Sequence, residues 1–78
     1  MALPTYSTGT VSAAAGGTVV TGVGTIWSGV NVVPGDMIAI GGLAAVLITD
    51  VTDVTHLAIP AWGGAAQTAV TYVVYQVS

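Results

Sequence analysis

The sequence predicts an all-β fold, a small antiparallel sandwich or barrel of about six short strands. Three observations carry that expectation. Val and Thr are abundant, and both favour strands. Eleven glycines punctuate the chain into short segments. No stretch shows a 3.6-residue apolar period with caps, and Ala13 to Ala15, the nearest thing to a helix, runs straight into Gly16-Gly17.

A first strand is expected over Ser7 to Ser12, where Thr8, Thr10 and Ser12 alternate with Gly9 and Val11. Ala13 to Gly17 reads as a turn, because Gly16-Gly17 can take positive φ, and Thr18 to Thr21 then completes a hairpin. Gly22 to Val33 looks irregular, with Trp27 in its middle. That indole is either a platform for stacking a ligand or a lid folded back over the core. Val33-Pro34-Gly35-Asp36 has the residues of a type II turn: proline presets φ at its second position and glycine supplies positive φ at its third.

Met37 to Ile40 follows as a compact strand that ends at Gly41-Gly42. The next arm is expected to run from Ala44 to Val51, and the apolar run Ala44 to Ile48 suggests a central strand covered on both faces. Asp50 to Asp53 leads into a tight turn, Thr55 to Ile59 gives another strand, and Pro60 stops it for want of an N–H. Ala61 to Gln67 is a Gly/Ala loop holding Trp62. Val70 to Val77 closes the chain, with Thr71, Val73, Tyr75 and Val77 on one face and Tyr72, Val74 and Gln76 on the other.

Residues 1–78 make a single domain. A domain this small buries only about 60% of its unfolded surface and usually recovers stability from disulfides, a metal or oligomerisation. The chain has no cysteine, one histidine (His56) and three carboxylates (Asp36, Asp50 and Asp53). Disulfides are excluded, no metal or other cofactor is expected, and association with copies of itself is left. Charged residues make up 4% of the chain, with no Lys or Arg, against roughly 25% in ordinary domains. Without a basic side chain there is nothing to neutralise phosphates, so nucleic acid is not a partner, and anionic headgroups are not attracted either.

Although 54% of residues are hydrophobic, a membrane partner is not expected. The longest apolar run, Met37 to Ile48, is broken by Gly41-Gly42 and falls well short of the ~20 residues a spanning helix needs. Met1 to Tyr6 has neither a charged nor an apolar region of the kind a signal peptide carries.

The sequence offers no catalytic residues. His56 is the one imidazole available as a general base, and none of Ser7, Ser12, Ser28 or Ser78 lies in a nucleophile turn. Asp50 and Asp53 flank one turn, but two aspartates without any glutamate are a poor match to calcium's six to eight oxygens. Gly22-Val23-Gly24 lacks the lysine and following helix of a phosphate loop. Trp27, Trp62, Tyr72 and Tyr75 could contact a host glycan or a neighbouring subunit. Asp, Asn, Gln and Arg, which recognise sugar hydroxyls, are scarce.

The order of short motifs is itself informative. Thr8-Gly9-Thr10-Val11 is followed by Val20-Thr21-Gly22-Val23-Gly24-Thr25-Ile26-Trp27, then Pro34-Gly35-Asp36, then a closing aromatic strand. The chain resembles, over nearly its whole length, a small β-rich module of tailed-bacteriophage virion proteins, one that often forms the N-terminal segment of tail-fibre and related adhesion proteins. The resemblance implies a virion location and a structural role as a homo-oligomer, expected to be a trimer, in contact with capsid, spike, fibre or adaptor proteins. Fibre proteins continue into a long stalk, whereas this sequence stops at Ser78. That fits a head-decoration subunit, a head-spike base or an adaptor. The resemblance brings no catalytic residues with it.

Overall fold

The structure is a computed structural model and describes residues 5–28 and 31–77. Residues 1–4 of the N-terminal segment, Gly29 and Val30 of the irregular stretch, and Ser78 lie outside them. Among the described residues nine strands form two antiparallel sheets: β1 (Thr5–Tyr6), β2 (Thr10–Ala13), β3 (Val19–Val23), β4 (Met37–Ile40), β5 (Val46–Leu47), β6 (Asp50–Asp53), β7 (His56–Ala58), β8 (Gln67–Val70) and β9 (Tyr72–Tyr75). One sheet has the order β1-β9-β4-β5 and the other β6-β7-β3-β2-β8. The all-β expectation holds.

The strand number departs from about six because the Ala44 to Val51 arm divides between the sheets and because β1 and most of β8 lie outside the strands expected from the sequence. Between β1 and β2 the switch falls at Gly9, whose φ of +87° no β-branched residue could adopt cheaply. The arm expected from Ala44 to Val51 breaks at Ile48-Thr49. There Ile48 N–H donates to Asp36 O at 2.8 Å in one sheet, and Thr49 N–H donates to Ala58 O at 2.9 Å in the other. The closing segment divides at Thr71, leaving Val70 paired with Val11 of the five-stranded sheet and Tyr72 with Ile40 of the four-stranded one.

The central strand expected over Ala44 to Ile48 is therefore corrected: Val46–Leu47 is an edge strand, paired on one side only with β4. Ala44, Ala45 and Leu47 are exposed, and only Ile48 at the crossing is fully buried. A run of apolar residues cannot tell a strand covered twice from one that turns half of them outward.

Two turns and a bulge position the strands. Gly16, at φ +73°, closes the β2–β3 hairpin with Gly17 N–H donating to Ala14 O at 2.9 Å. Gly35, at φ +99°, sits third in the Val33–Asp36 turn, where Asp36 N–H reaches Val33 O at 3.1 Å. Asp36 is 1% exposed, and its Oδ2 accepts the Val33 N–H at 3.0 Å, so the carboxylate secures the turn from inside. β8 carries a bulge opposite Ser12: Val11 pairs with Val70 and Ala13 with Gln67. The bulge puts Ala69 at φ +50°, and Ser12 Oγ accepts its N–H at 3.0 Å.

The core lies between the sheets. Ile38, Ile40, Tyr72 and Val74 enter from one sheet and Val11, Ala13, Val20 and Leu57 from the other. Loop residues complete it: Trp27, Val32, Ile48, Ile59 and Trp62 are all buried. The indoles sit near opposite ends of β3. Trp27 lies against Gly22, and Trp62 N–H donates to Gly17 O at 2.8 Å.

Candidate functional site

Each sheet has one face turned away from the core, and the two faces differ in chemistry. On the five-stranded sheet the outward residues are mostly small, polar or ionisable. Register pairs Ser12 with Thr21, Thr21 with His56 and His56 with Asp53 across four strands. Asp53 Oδ1 accepts the Thr55 N–H at 2.9 Å and the Thr55 hydroxyl at 3.1 Å, and lies 2.8 Å from His56 Nδ1. The Thr55 amide and then the His56 ring hold the Asp53 carboxyl below its ordinary range. This cluster is exposed and caps the β6–β7 turn, which is a structural task for all three residues. Among the described residues, no three of His, Cys, Asp and Glu gather as a group that could hold a metal ion.

On the four-stranded sheet the outward residues are mostly apolar. Thr5, Tyr75, Met37 and Leu47 lie in one cross-strand row, and Val73 and Ala39 in the next. Their strand neighbours Tyr6, Val74, Ile38 and Val46 point the other way and pack into the core. A shallow hollow forms over the small Ala39, with Leu43, Val73 and Tyr75 among its walls. Leu43 and Leu47 are each more than two-fifths exposed. No ionisable acid or histidine lies on this face: Asp50, Asp53 and His56 are on β6 and β7 of the other sheet, and Asp36 is buried.

The four aromatics read from the sequence as glycan or subunit contacts divide between the core and this face. Trp27, Trp62 and Tyr72 are 1%, 5% and 3% exposed, so none presents an open ring for stacking a sugar. Trp27 and Tyr72 meet edge-to-face, with centroids 5.7 Å apart and planes at 82°. Trp27 Nε1–H donates to the Tyr72 hydroxyl at 3.1 Å, which in turn donates to Thr8 O at 2.6 Å. Burial pushes the Tyr72 phenol up to about 12, so it stays a donor across the ordinary pH range. Trp62 Nε1–H donates to Ala65 O at 2.9 Å. Tyr75 alone of the four is half-buried, and it stands at the centre of the apolar face.

Pro34, Gly35 and Asp36 shape the turn that delivers Met37, the first residue of β4, to the face. Sequence reasoning singled out Tyr75 but not Met37, Ala39, Leu43, Leu47 or Val73. The alternation along Val70 to Val77 did group Val73 with Tyr75; what it lacked was the side on which the core lies. Among the described residues no helix is long and apolar enough to cross a membrane. Compared with family models, curated proteins and solved structures, the chain has no match.

Proposed function

We propose that the chain is a non-catalytic structural subunit of a tailed-phage or phage-like particle. In this reading it associates with copies of itself to decorate the head or to anchor a spike or fibre. The observation that supports this most is the segregation of charge. A chain with three carboxylates and no Lys or Arg has placed two of them, with its histidine, on one sheet and buried the third. The other sheet's outer face can then be covered without desolvating an ion, which avoids the largest penalty in forming an interface. The resemblance of the motif order to phage virion modules is what suggests the particle.

The test is quantitative mass spectrometry of gradient-purified particles from the source, counting this chain against the major capsid protein. A fixed copy number that survives the gradient is expected; hundreds of copies would assign a head role, and a few to a few dozen a tail, fibre or adaptor role. Absence of the chain from the particles would overturn the proposal.

A further inference from the structure

The apolar face just described needs an occupant, and we infer that it is the same face of a second copy of this chain. The inference rests on the structural reading above and adds the surface through which copies meet. Three observations select it over the other surfaces of the molecule.

First, edge-to-edge pairing is obstructed. β6, one edge of the five-stranded sheet, carries Asp50 and Asp53 and a register shift between Val51 and Asp53. β8, the other edge, is bulged at left-handed Ala69. β1 and β5, the edges of the four-stranded sheet, are two residues each. Charge, bulges and shortness are the standard defences of a free edge.

Second, like charges choose between the faces. The chain has a formal net charge of −3 and no cation to offset it. Stacking two five-stranded sheets would bring the Asp50 and Asp53 of one copy toward those of the other. Of the most exposed apolar side chains, Val23 at 70%, Ile26 at 64%, Val19 at 51% and Val54 at 51%, two stand beside these carboxylates: Val54 adjoins Asp53, and Val19 shares a cross-strand row with Ala58 and Asp50. Stacking two four-stranded sheets keeps all four of those carboxylates on the far sides of the pair, where solvent and salt screen them.

Third, the size of the face sets the strength of the contact. Two strands of four residues and two of two, at about 4.8 Å spacing and ~3.4 Å per residue, give roughly 200 Å² of plan area. That is about a quarter of the ~800 Å² per partner in a standard stable interface. The pair is accordingly weak and reversible in dilute solution. It is consolidated where copies are already held side by side, because local concentration then replaces affinity. A subunit that joins its neighbours only on a scaffold needs an interface of this kind.

Nuclear magnetic resonance on the full chain tests the inference through a dilution series from about 1 mM down to about 10 µM, the span in which a contact this small associates. The expected result is concentration-dependent amide shifts at Met37, Ala39, Leu47, Val73 and Tyr75, with Thr10, Thr21, Val23 and His56 unmoved. L47K, at a half-exposed edge position where lysine does not disturb the core, should weaken association at least about tenfold, each 1.4 kcal/mol of lost contact being one factor of ten. V23K, which makes the same charge change on the opposite sheet, should leave association within about twofold of the wild type. Shifts confined to Val23, Ile26 and Val54, or association lost in V23K and kept in L47K, would overturn the assignment of this face while leaving the structural reading standing. A wild-type spectrum independent of concentration would overturn the second copy as occupant. The particle count above would still decide the virion role.

Discussion

Replacing Tyr72 with phenylalanine removes one oxygen from a doubly hydrogen-bonded polar group in the core and leaves the ring and its edge-to-face contact with Trp27 in place. The hydroxyl accepts from Trp27 Nε1–H at 3.1 Å and donates to Thr8 O at 2.6 Å. Trp27 is 1% exposed, so its N–H loses its partner with no route to water, whereas Thr8 is exposed and its carbonyl can be rehydrated. One orphaned buried donor costs about 1–3 kcal/mol, so Tyr72→Phe should cost about 2 kcal/mol. For 78 residues total stability is on the order of 4–12 kcal/mol, and the expected drop in Tm is about 8–16 °C.

Urea denaturation followed by tryptophan fluorescence measures the loss directly, with an unchanged slope showing that the same surface unfolds. Tyr6→Phe serves as the control. Its hydroxyl accepts the exposed Ile26 N–H at 3.1 Å, and water can take its place, so its cost should stay below about 1 kcal/mol. A Tyr72→Phe loss under about 0.5 kcal/mol, or one no larger than that of Tyr6→Phe, would refute the reasoning that this hydroxyl pins the Trp27 loop to β9.

Other perturbations follow from the same packing. A Cβ on Gly22 would collide with Thr25 Oγ1, come within 2.6 Å of Thr25 Cγ2 and lie 2.9 Å from Trp27 Cη2. Gly22→Ala should therefore cost about 1–3 kcal/mol and red-shift the tryptophan emission as the loop lifts. Ala69→Gly acts in the opposite direction: the exposed residue sits at φ +50°, and relief of left-handed strain should raise stability by about 0.5–1 kcal/mol in the same denaturation assay. The depressed Asp53 carboxyl gives a pH dependence whose sign is fixed. Its contribution is present above the ordinary carboxyl value of 3.8 and is lost as pH falls through the lower folded value. Wild type and Asp53→Ala should thus differ in Tm at neutral pH and converge on acidification, and a gap that persists at the acid limit would count against the Thr55 and His56 contacts as its source.

How much of this was legible in the sequence depends on the length scale. Met37 to Ile40 stands where its bounding turn and Gly41-Gly42 put it, and the Ala13 to Gly17 hairpin closes as its glycines require. Such features are local: a proline, a glycine and an alternation decide them within a few residues. The sheet changes at Gly9, Ile48-Thr49 and Thr71 were not legible, because strand propensity is indifferent to which sheet supplies the partner. β1 and β8 escaped for a related reason. Thr5–Tyr6 is too short to show a period, and Gln67–Val70 is bulged within a loop of Gly and Ala.

The candidate face was half legible. Val73 and Tyr75 were grouped together by alternation, but that this group faces out was settled by Tyr72, which joins Trp27 across 45 positions of sequence. Long-range aromatic pairing of this sort leaves no trace in local composition. Leu47 illustrates the converse case: within its apolar run it read as core, and the β4–β5 register turned it outward beside Met37.

We propose that this chain, with almost no charge and with its carboxylates kept off one sheet face, meets copies of itself. Sedimentation equilibrium at neutral pH, from about 10 µM to about 1 mM, tests it most directly, because that range brackets the weak association expected of a face this size. The apparent mass should start near the monomer and climb with concentration, and L47K should hold at the monomer value throughout. A single monomer mass across the whole range in the wild type, with the chain folded and soluble, would contradict it.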